Sequence, residues 1–251
     1  MPLRRSLPEA HKLGAAGLEF DAVGDLAPAQ LSQTGRRELR HLFRSHDLEI
    51  TALACPLRRG LSAPENQDAR LEYLRQALSM SWDLGAKVVV IHPGPLPPEK
   101  PDANDPRWPI LTEALTNLSR HAERVGATLA LETGLESGDT LAKFLAQFES
   151  GGLAANFNPG NFLIHGHDPY AAARSLRDRV VHVHAKDARV ASASRGAEEV
   201  LLGHGDIDWL QMLAVLEEIE YRGFVTIEQR AGANALAEAK AAVEFLKRIM
   251  R

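Results

Sequence analysis

Val180-Val181-His182-Val183-His184-Ala185-Lys186-Asp187 is the stretch that decides how the rest of this 251-residue chain is read. It starts as a β-branched apolar run, the composition of a short buried strand. It then delivers an imidazole, an ammonium and a carboxylate at His184, Lys186 and Asp187, where a strand should give way to a loop. Packing does not call for those groups at one end. That end is therefore a candidate site, and its standing depends on whether other strands end alike.

Several do. Lys87–Ile91 is nearly pure Val/Ile, the pattern of a strand buried on both faces as in parallel sheets, and it runs into His92-Pro93-Gly94. Thr128–Leu131 ends at Glu132, Leu153–Phe157 at Asn158-Pro159-Gly160-Asn161, and Phe224–Ile227 at Glu228. Nearer the start, Ala16–Asp21 is a strand with Glu19 near its end, and Leu48–Cys55 is a strand stopped by Pro56.

Helical patterns separate these strands. Asn66–Leu84 places Leu71, Leu74 and Leu78 on one face and stops at Gly85. Pro8–Leu13, Thr34–Ser45 (with Thr34 as cap), the Leu111–Ala122 repeat and the Leu236–Leu246 repeat read as helices. Asp139, Asp168 and Asp208 are expected N-caps of three more, Asp168 with Pro169 behind it. Pro93–Pro109 reads as a long loop and a candidate lid, and the residues between Asp187 and Asp208 as a loop.

Seven strands in alternation with about eight helices predict parallel βα units closing as a (β/α)8 TIM barrel, one domain over residues 1–251. A helix comes first, so the first strand is truncated or missing. Either Met1–Arg5 supplies a stunted strand, or the barrel is open there, or the native chain begins upstream of Met1. The last is preferred, because an open barrel exposes two strand edges.

The composition narrows the function classes. A net charge of -4 with no basic block leaves no footprint for nucleic acid. No apolar run is long enough to span a membrane, and Met1–Ser6 does not lead into a signal peptide. The lone Cys55 permits no internal disulfide, which fits a cytoplasmic location.

Parallel sheets place their chemistry at the C-terminal ends of strands. In order those ends are Glu19, Cys55, His92, Glu132, Asn158, His184 and Glu228. Glu132, Asn158, His184 and Glu228 offer carboxylate and amide oxygens with one imidazole, a donor set for Mn²⁺, Mg²⁺, Co²⁺ or Zn²⁺. Two glutamates at a barrel mouth could take a proton from carbon and return it elsewhere. A metal would polarise the carbonyl and stabilise the enediolate.

At these residues the chain resembles the xylose isomerase-like superfamily of TIM barrels, the sugar phosphate isomerases and epimerases. The motifs are Leu131-Glu132-Thr133, Phe157-Asn158-Pro159-Gly160-Asn161, His182 to Asp187, Gly203 to Trp209, Thr226-Ile227-Glu228 and Gly14 to Glu19. Together they cover nearly the whole chain. The resemblance implies a metal held by Glu132, Asn158, His184 and Glu228, with Glu132 and Glu228 as the acid–base pair. It implies substrate contacts at His92 and Lys186. The departure is Asn158, where the family usually has Asp. One negative charge is lost, so the divalent metal is expected to be weakened or absent. Asn161 stands where some members place a histidine, which argues against a second metal.

Other residues carry paired readings. His184 is a metal ligand or else a hydrogen-bonded core histidine. His182 is taken as structural, facing the helix layer. Arg230 lies two residues past Glu228, on the same side of that strand, and could bind an anionic or hydroxyl group. Trp108 either stacks on a sugar or covers the helix with apolar surface. Arg58 and Arg59 bind a phosphate or are simply solvated, and Cys55 is a small buried residue rather than a nucleophile. The role of Glu19 is left open.

The expected function is isomerisation or epimerisation of a small sugar, sugar phosphate or polyol by proton transfer through Glu132 and Glu228. A dehydratase or lyase on polyol-like substrates uses the same scaffold. A non-catalytic, metal-free ligand-binding barrel is the alternative from another class. An abasic-site endonuclease fits poorly, because ligand positions are missing and the charge is wrong for DNA. Such barrels often self-associate through their helices, so a homo-oligomer is left open.

Overall fold

The computed structural model describes residues 3–96, 105–192, 196–228, 232 and 234–250. Residues 97–104 of the candidate lid (Pro93–Pro109), and the anion-binding role of Arg230, fall outside the described residues. Seven parallel strands alternate with helices. They are β1 (Gly17–Asp21), β2 (Glu49–Ala54), β3 (Val88–Ile91), β4 (Thr128–Glu132), β5 (Leu153–Phe157), β6 (Val180–Ala185) and, after a hairpin, β9 (Val225–Ile227). They lie in the sheet in the order in which the chain makes them. The hairpin is β7 (Asp187–Ser192) with β8 (Gly196–Val200), paired antiparallel. The helices are α1 (Leu3–Leu13), α2 (Gln33–Arg44), α3 (Gln67–Leu84), α4 (Arg107–Val125), α5 (Gly138–Leu145), α6 (Pro159–Ile164), α7 (Pro169–Leu176), α8 (Trp209–Glu218) and α9 (Ala235–Ile249).

Five local expectations are corrected. Leu3–Arg5 belong to α1, so no stunted strand forms there. The stretch after Asp187 is not a plain loop but the β7–β8 hairpin, and α4 begins at Arg107, inside the stretch read as loop. The cap of α2 is Ser32, whose hydroxyl accepts from the Gly35 amide at 3.2 Å, rather than Thr34. Asp139 sits in the first turn of α5, while Ser137 Oγ accepts from the Thr140 amide at 3.3 Å. In both misplaced caps a serine two residues earlier takes the N–H, because the orphan donors belong to the first turn and a cap must precede it.

The chain divides into two compact units, Met1–Glu132 with Leu145–Ala154, and Thr133–Phe144 with Ala155–Arg251. In the first, Phe43, Leu53, Leu74, Leu78, Leu111 and Leu115 are among the largest fully buried side chains. Leu71, Leu74 and Leu78 of α3 are buried as their spacing requires. Gly85 then ends the helix in the left-handed region at φ 82°, returning its N–H to Trp82 O at 3.0 Å. In the second unit Phe157 packs on Phe162 with ring centroids 5.5 Å apart, and Ala173, Leu176 and Met212 are fully enclosed. Asp168 caps α7 as its sequence predicts, accepting from Tyr170 N at 2.8 Å and Ala171 N at 3.1 Å. Asp168→Ala is expected to cost about 1 kcal/mol, read as a lowered urea midpoint; no change would mean that Pro169 alone sets that helix start.

The strands β5, β6 and β9 position the candidate site. Phe157 pairs with Val183, and Val183 with Val225. That register brings the residues just beyond Phe157, Val183 and Val225 to one level. Asn158, His184 and Thr226 therefore stand side by side, with Lys186 and Glu228 two residues further along.

Candidate active site

Within the second unit the strand ends form one connected polar cluster. Glu228 follows β9, its amide donating to Ala185 O at 3.1 Å, and its carboxylate oxygen Oε2 is the hub. The Asn158 amide nitrogen donates to it at 2.7 Å, the Lys186 ammonium lies 3.3 Å away, and His184 Nδ1 lies 3.4 Å away. Burial alone would raise the Glu228 carboxyl; its His184 and Lys186 neighbours outweigh burial and hold it down at about 2. His184 adds to that hold only when its ring is protonated, whereas the ammonium adds to it throughout.

Asn158 has two tasks. It is fully buried and is the N-cap of α6. Its Oδ1 accepts from the Asn161 amide at 3.1 Å, and its own amide donates to Thr133 Oγ1 at 2.9 Å. The cap fixes the orientation of the side chain. Only the oxygen can accept from Asn161 N–H, so the NH₂ group must face Glu228.

A second amide stands behind it. Thr226 Oγ1 donates to His182 Nε2 at 3.0 Å, and His182 Nδ1 donates to Asn156 Oδ1 at 2.8 Å. The Asn156 NH₂ group then meets His184 Nδ1 at 2.9 Å. Asn156, His182 and His184 are all buried, so each of these bonds offsets a desolvation cost that would otherwise stand. His182 does not face the helix layer. Residues two apart on a strand share a face, and the two imidazoles meet edge to face with centroids 5.2 Å apart. The structural reading of His182 stands, but as the partner that orients Asn156.

Lys186 is held from two sides and along its stem. Its ammonium also lies 3.6 Å from Glu199 Oε2 on β8. A Cβ on Gly160 would come within 2.8 Å of Lys186 Cγ and 2.7 Å of Lys186 O, so only glycine leaves room for the lysine there. Asp187, singled out with Lys186 in the sequence, does something else. It is buried and its carboxylate accepts from the amides of Ala188 (2.9 Å), Gly203 (2.9 Å) and Gly205 (3.1 Å) and from Trp209 Nε1 (3.2 Å). It ties the end of β6 and the hairpin to the start of α8.

The first unit holds the other predicted residues. Glu132 is the buried last residue of β4, His92 is exposed just after β3, and Trp108 lies in the first turn of α4, partly covered. Burial pushes the Cys55 thiol up to about 12, which leaves it protonated and no nucleophile. Asn156 and Thr226 were not legible as site residues, although one signal for Asn156 exists. An asparagine in the middle of a strand buried on both faces is disfavoured unless something bonds its amide.

Carboxylate and imidazole are the right chemistry for a divalent ion, but Glu228 Oε2 accepts from the Asn158 amide and His184 Nδ1 meets the Asn156 amide, so an ion would have to use the other oxygen of Glu228 and the other ring nitrogen of His184. An ion on Glu228 Oε2, at roughly 2 Å from it, would sit no more than about 5 Å from the ammonium. Repulsion between charges of two and one at that distance is on the order of 6 kcal/mol at an effective dielectric of 20. In this arrangement the Asn158 amide and the Lys186 ammonium oppose a divalent cation at Glu228 Oε2 itself.

The held-down carboxyl carries a pH prediction. A depressed carboxyl contributes stability that is fully present above its ordinary value of 4.5 and is lost as the pH falls through about 2. The wild-type urea midpoint should fall across that window more steeply than that of Glu228→Gln. Parallel curves would show that the carboxylate is not held by its neighbours.

Comparison with known proteins agrees with this architecture. The chain belongs to the xylose isomerase-like TIM barrel family, whose model it matches over residues 7–249. It is 25% identical over 195 residues to the inosose dehydratase of Clostridium beijerinckii, a match covering 66% of this chain and 65% of that protein, just under two thirds of its length. It is 28% identical to the rhizopine catabolism protein MocC of Rhizobium meliloti, across 99% of this chain and 82% of that protein. Among solved structures, the xylose isomerase domain protein of Planctomyces limnophilus superposes with a TM-score of 0.86 at 24% identity, covering 97% of this chain and 91% of the other. The D-psicose 3-epimerase of Clostridium cellulolyticum superposes at 0.79 with 18% identity, covering 100% and 94%. These likenesses show the TIM barrel fold. Among the described residues no helix is long and apolar enough to cross a membrane.

Proposed function

We propose that this chain is an enzyme that moves a proton at a carbon next to a carbonyl of a small sugar or polyol, as an isomerase or epimerase. The observation that carries the reading is Glu228: an ionised carboxylate at a strand end, bonded by a buried amide and flanked by an ammonium. An ionised carboxylate can accept the proton from carbon. The electron pair then moves onto the carbonyl oxygen, and the Lys186 ammonium faces the region where that negative charge develops. Return of the proton to the neighbouring carbon gives an isomer, and to the opposite face an epimer. Glu132 is the second carboxylate, a role supported by its buried place at the end of β4 and by the resemblance of its motif to the family's. His92 and Trp108 are proposed substrate contacts on the same grounds.

The relatives named inosose dehydratases favour a second reading, in which the same abstraction is followed by loss of a hydroxyl from the next carbon. One experiment addresses both. The protein is incubated in D₂O with a panel of ketopentoses, ketohexoses and inososes. Deuterium entering the position next to the carbonyl without loss of water supports isomerisation or epimerisation, and a dehydrated product supports the second reading. No exchange and no dehydration across the panel would sink the enzyme reading and leave a ligand-binding barrel.

A further inference from the structure

We propose that Lys186 is the built-in cation of this site and that the chain works without a divalent metal. The argument is geometric. Three groups converge on one carboxylate oxygen of Glu228: an amide N–H at 2.7 Å, an ammonium at 3.3 Å and an imidazole nitrogen at 3.4 Å. The imidazole nitrogen is itself met by a second amide, from Asn156 at 2.9 Å. On this side of the site both Glu228 Oε2 and His184 Nδ1 are faced by buried carboxamides rather than by a place for an ion.

Asn158 makes the arrangement self-consistent. Its oxygen is committed to the α6 N-terminus, so whatever group it turns toward Glu228 must suit a carboxylate. An amide offers a donor there. An aspartate would offer a second anionic oxygen, and two carboxylates at that separation require a cation between them. The loss of one negative charge at residue 158 and the presence of a fixed ammonium at residue 186 therefore answer each other. The lysine is fixed by the fold: its stem runs over Gly160, and Glu199 of the hairpin balances its charge from the other side.

What the ammonium does there rests on the proton-transfer reading. When Glu228 takes the proton from carbon, the carbonyl oxygen becomes an enediolate oxygen, and the carboxylate loses the charge that Lys186 was paired with. The ammonium is then left to stabilise the new oxyanion. No oxidant, reductant or second substrate is required, and in an isomerisation the proton returns from the Glu228 carboxyl to the neighbouring carbon.

The test separates the cation from the reaction. Purified protein is dialysed against chelator and titrated with Mn²⁺, with free ion followed by electron paramagnetic resonance and heat by calorimetry. Wild type should bind none up to millimolar Mn²⁺. Asn158→Asp combined with Lys186→Met should bind it with a dissociation constant about 10- to 100-fold below the millimolar limit of the wild-type titration. Stoichiometric binding by wild type at micromolar Mn²⁺ overturns the proposal, and that arm requires no variant to fold. A double variant that is folded by circular dichroism and binds no better than wild type overturns it too. In the D₂O assay the exchange should be unchanged by chelator, and exchange that is lost with chelator and restored by metal also counts against it. Absence of exchange in every condition would instead remove the proton-transfer reading, while the binding arms still decide the question of the cation.

Discussion

Glu228→Gln should lower the rate of deuterium exchange into a keto-sugar substrate by about 10²- to 10⁴-fold, the range in which positioned acid–base groups act. The substitution is chosen to keep the architecture. Glutamine has the same shape, its oxygen can still accept from Asn158 Nδ2, and Lys186 keeps a polar partner in Glu199. What it cannot do is take up a proton at neutral pH. The fall should therefore appear in kcat with KM little changed, because binding contacts survive and the proton acceptor does not. Exchange within about threefold of wild type would be too small for an acid–base role. The proton would then have to be taken by another group, with Glu132 the first to test. The low value of the Glu228 carboxyl adds a second condition. It enters the reaction ionised at any physiological pH, so the acid limb of a rate profile should not come from Glu228 in the free enzyme.

Asp187→Ala carries the largest expected effect on stability, a loss of about 3–5 kcal/mol, because a buried charged hub is removed and its donors are left unsatisfied. Four N–H groups point at this carboxylate: the amide of Ala188 in β7, the amides of Gly203 and Gly205 in the loop before α8, and the Trp209 indole. None of them can turn to water without moving the hairpin or the start of α8. Gly205 allows the loop to come this close, since a Cβ there would overlap the carboxylate and the Ala188 carbonyl. Asp187→Asn should fall between wild type and alanine, since an amide presents one accepting oxygen and one NH₂ group to a set of donors. Urea unfolding measures both. A loss below about 1 kcal/mol for the alanine variant would show that water or a backbone shift satisfies the donors. The same variant should weaken the site, because Lys186 is the neighbouring residue and the hairpin that carries Glu199 would lose its anchor.

Much of this molecule can be read before any coordinates. The alternation of β-branched runs with leucine repeats dictates a parallel α/β sheet, since strands buried on both faces require a helix between each pair. The caps at Asp168 and Asp208 and the stop at Gly85 follow from local chemistry that a few residues settle among themselves. So does the gathering of polar groups at strand ends, which drew out Asn158, His184, Lys186 and Glu228.

Tertiary structure decided what those groups do to one another. Whether Asn158 offers an oxygen or an NH₂ group to the site depends on α6, six residues whose first turn claims the oxygen. Asp187 looks like a site residue until one loop, with amides 16 and 18 residues away, supplies its donors. The β7–β8 hairpin carries no strong apolar alternation, so its pairing, and with it the partnership of Glu199 and Lys186, arises only when the chain folds back. The physical reason is the same in each case. Periodicity and capping are fixed by neighbours along the chain, whereas the direction of a buried hydrogen bond is fixed by whichever partner the fold brings within 3 Å of it.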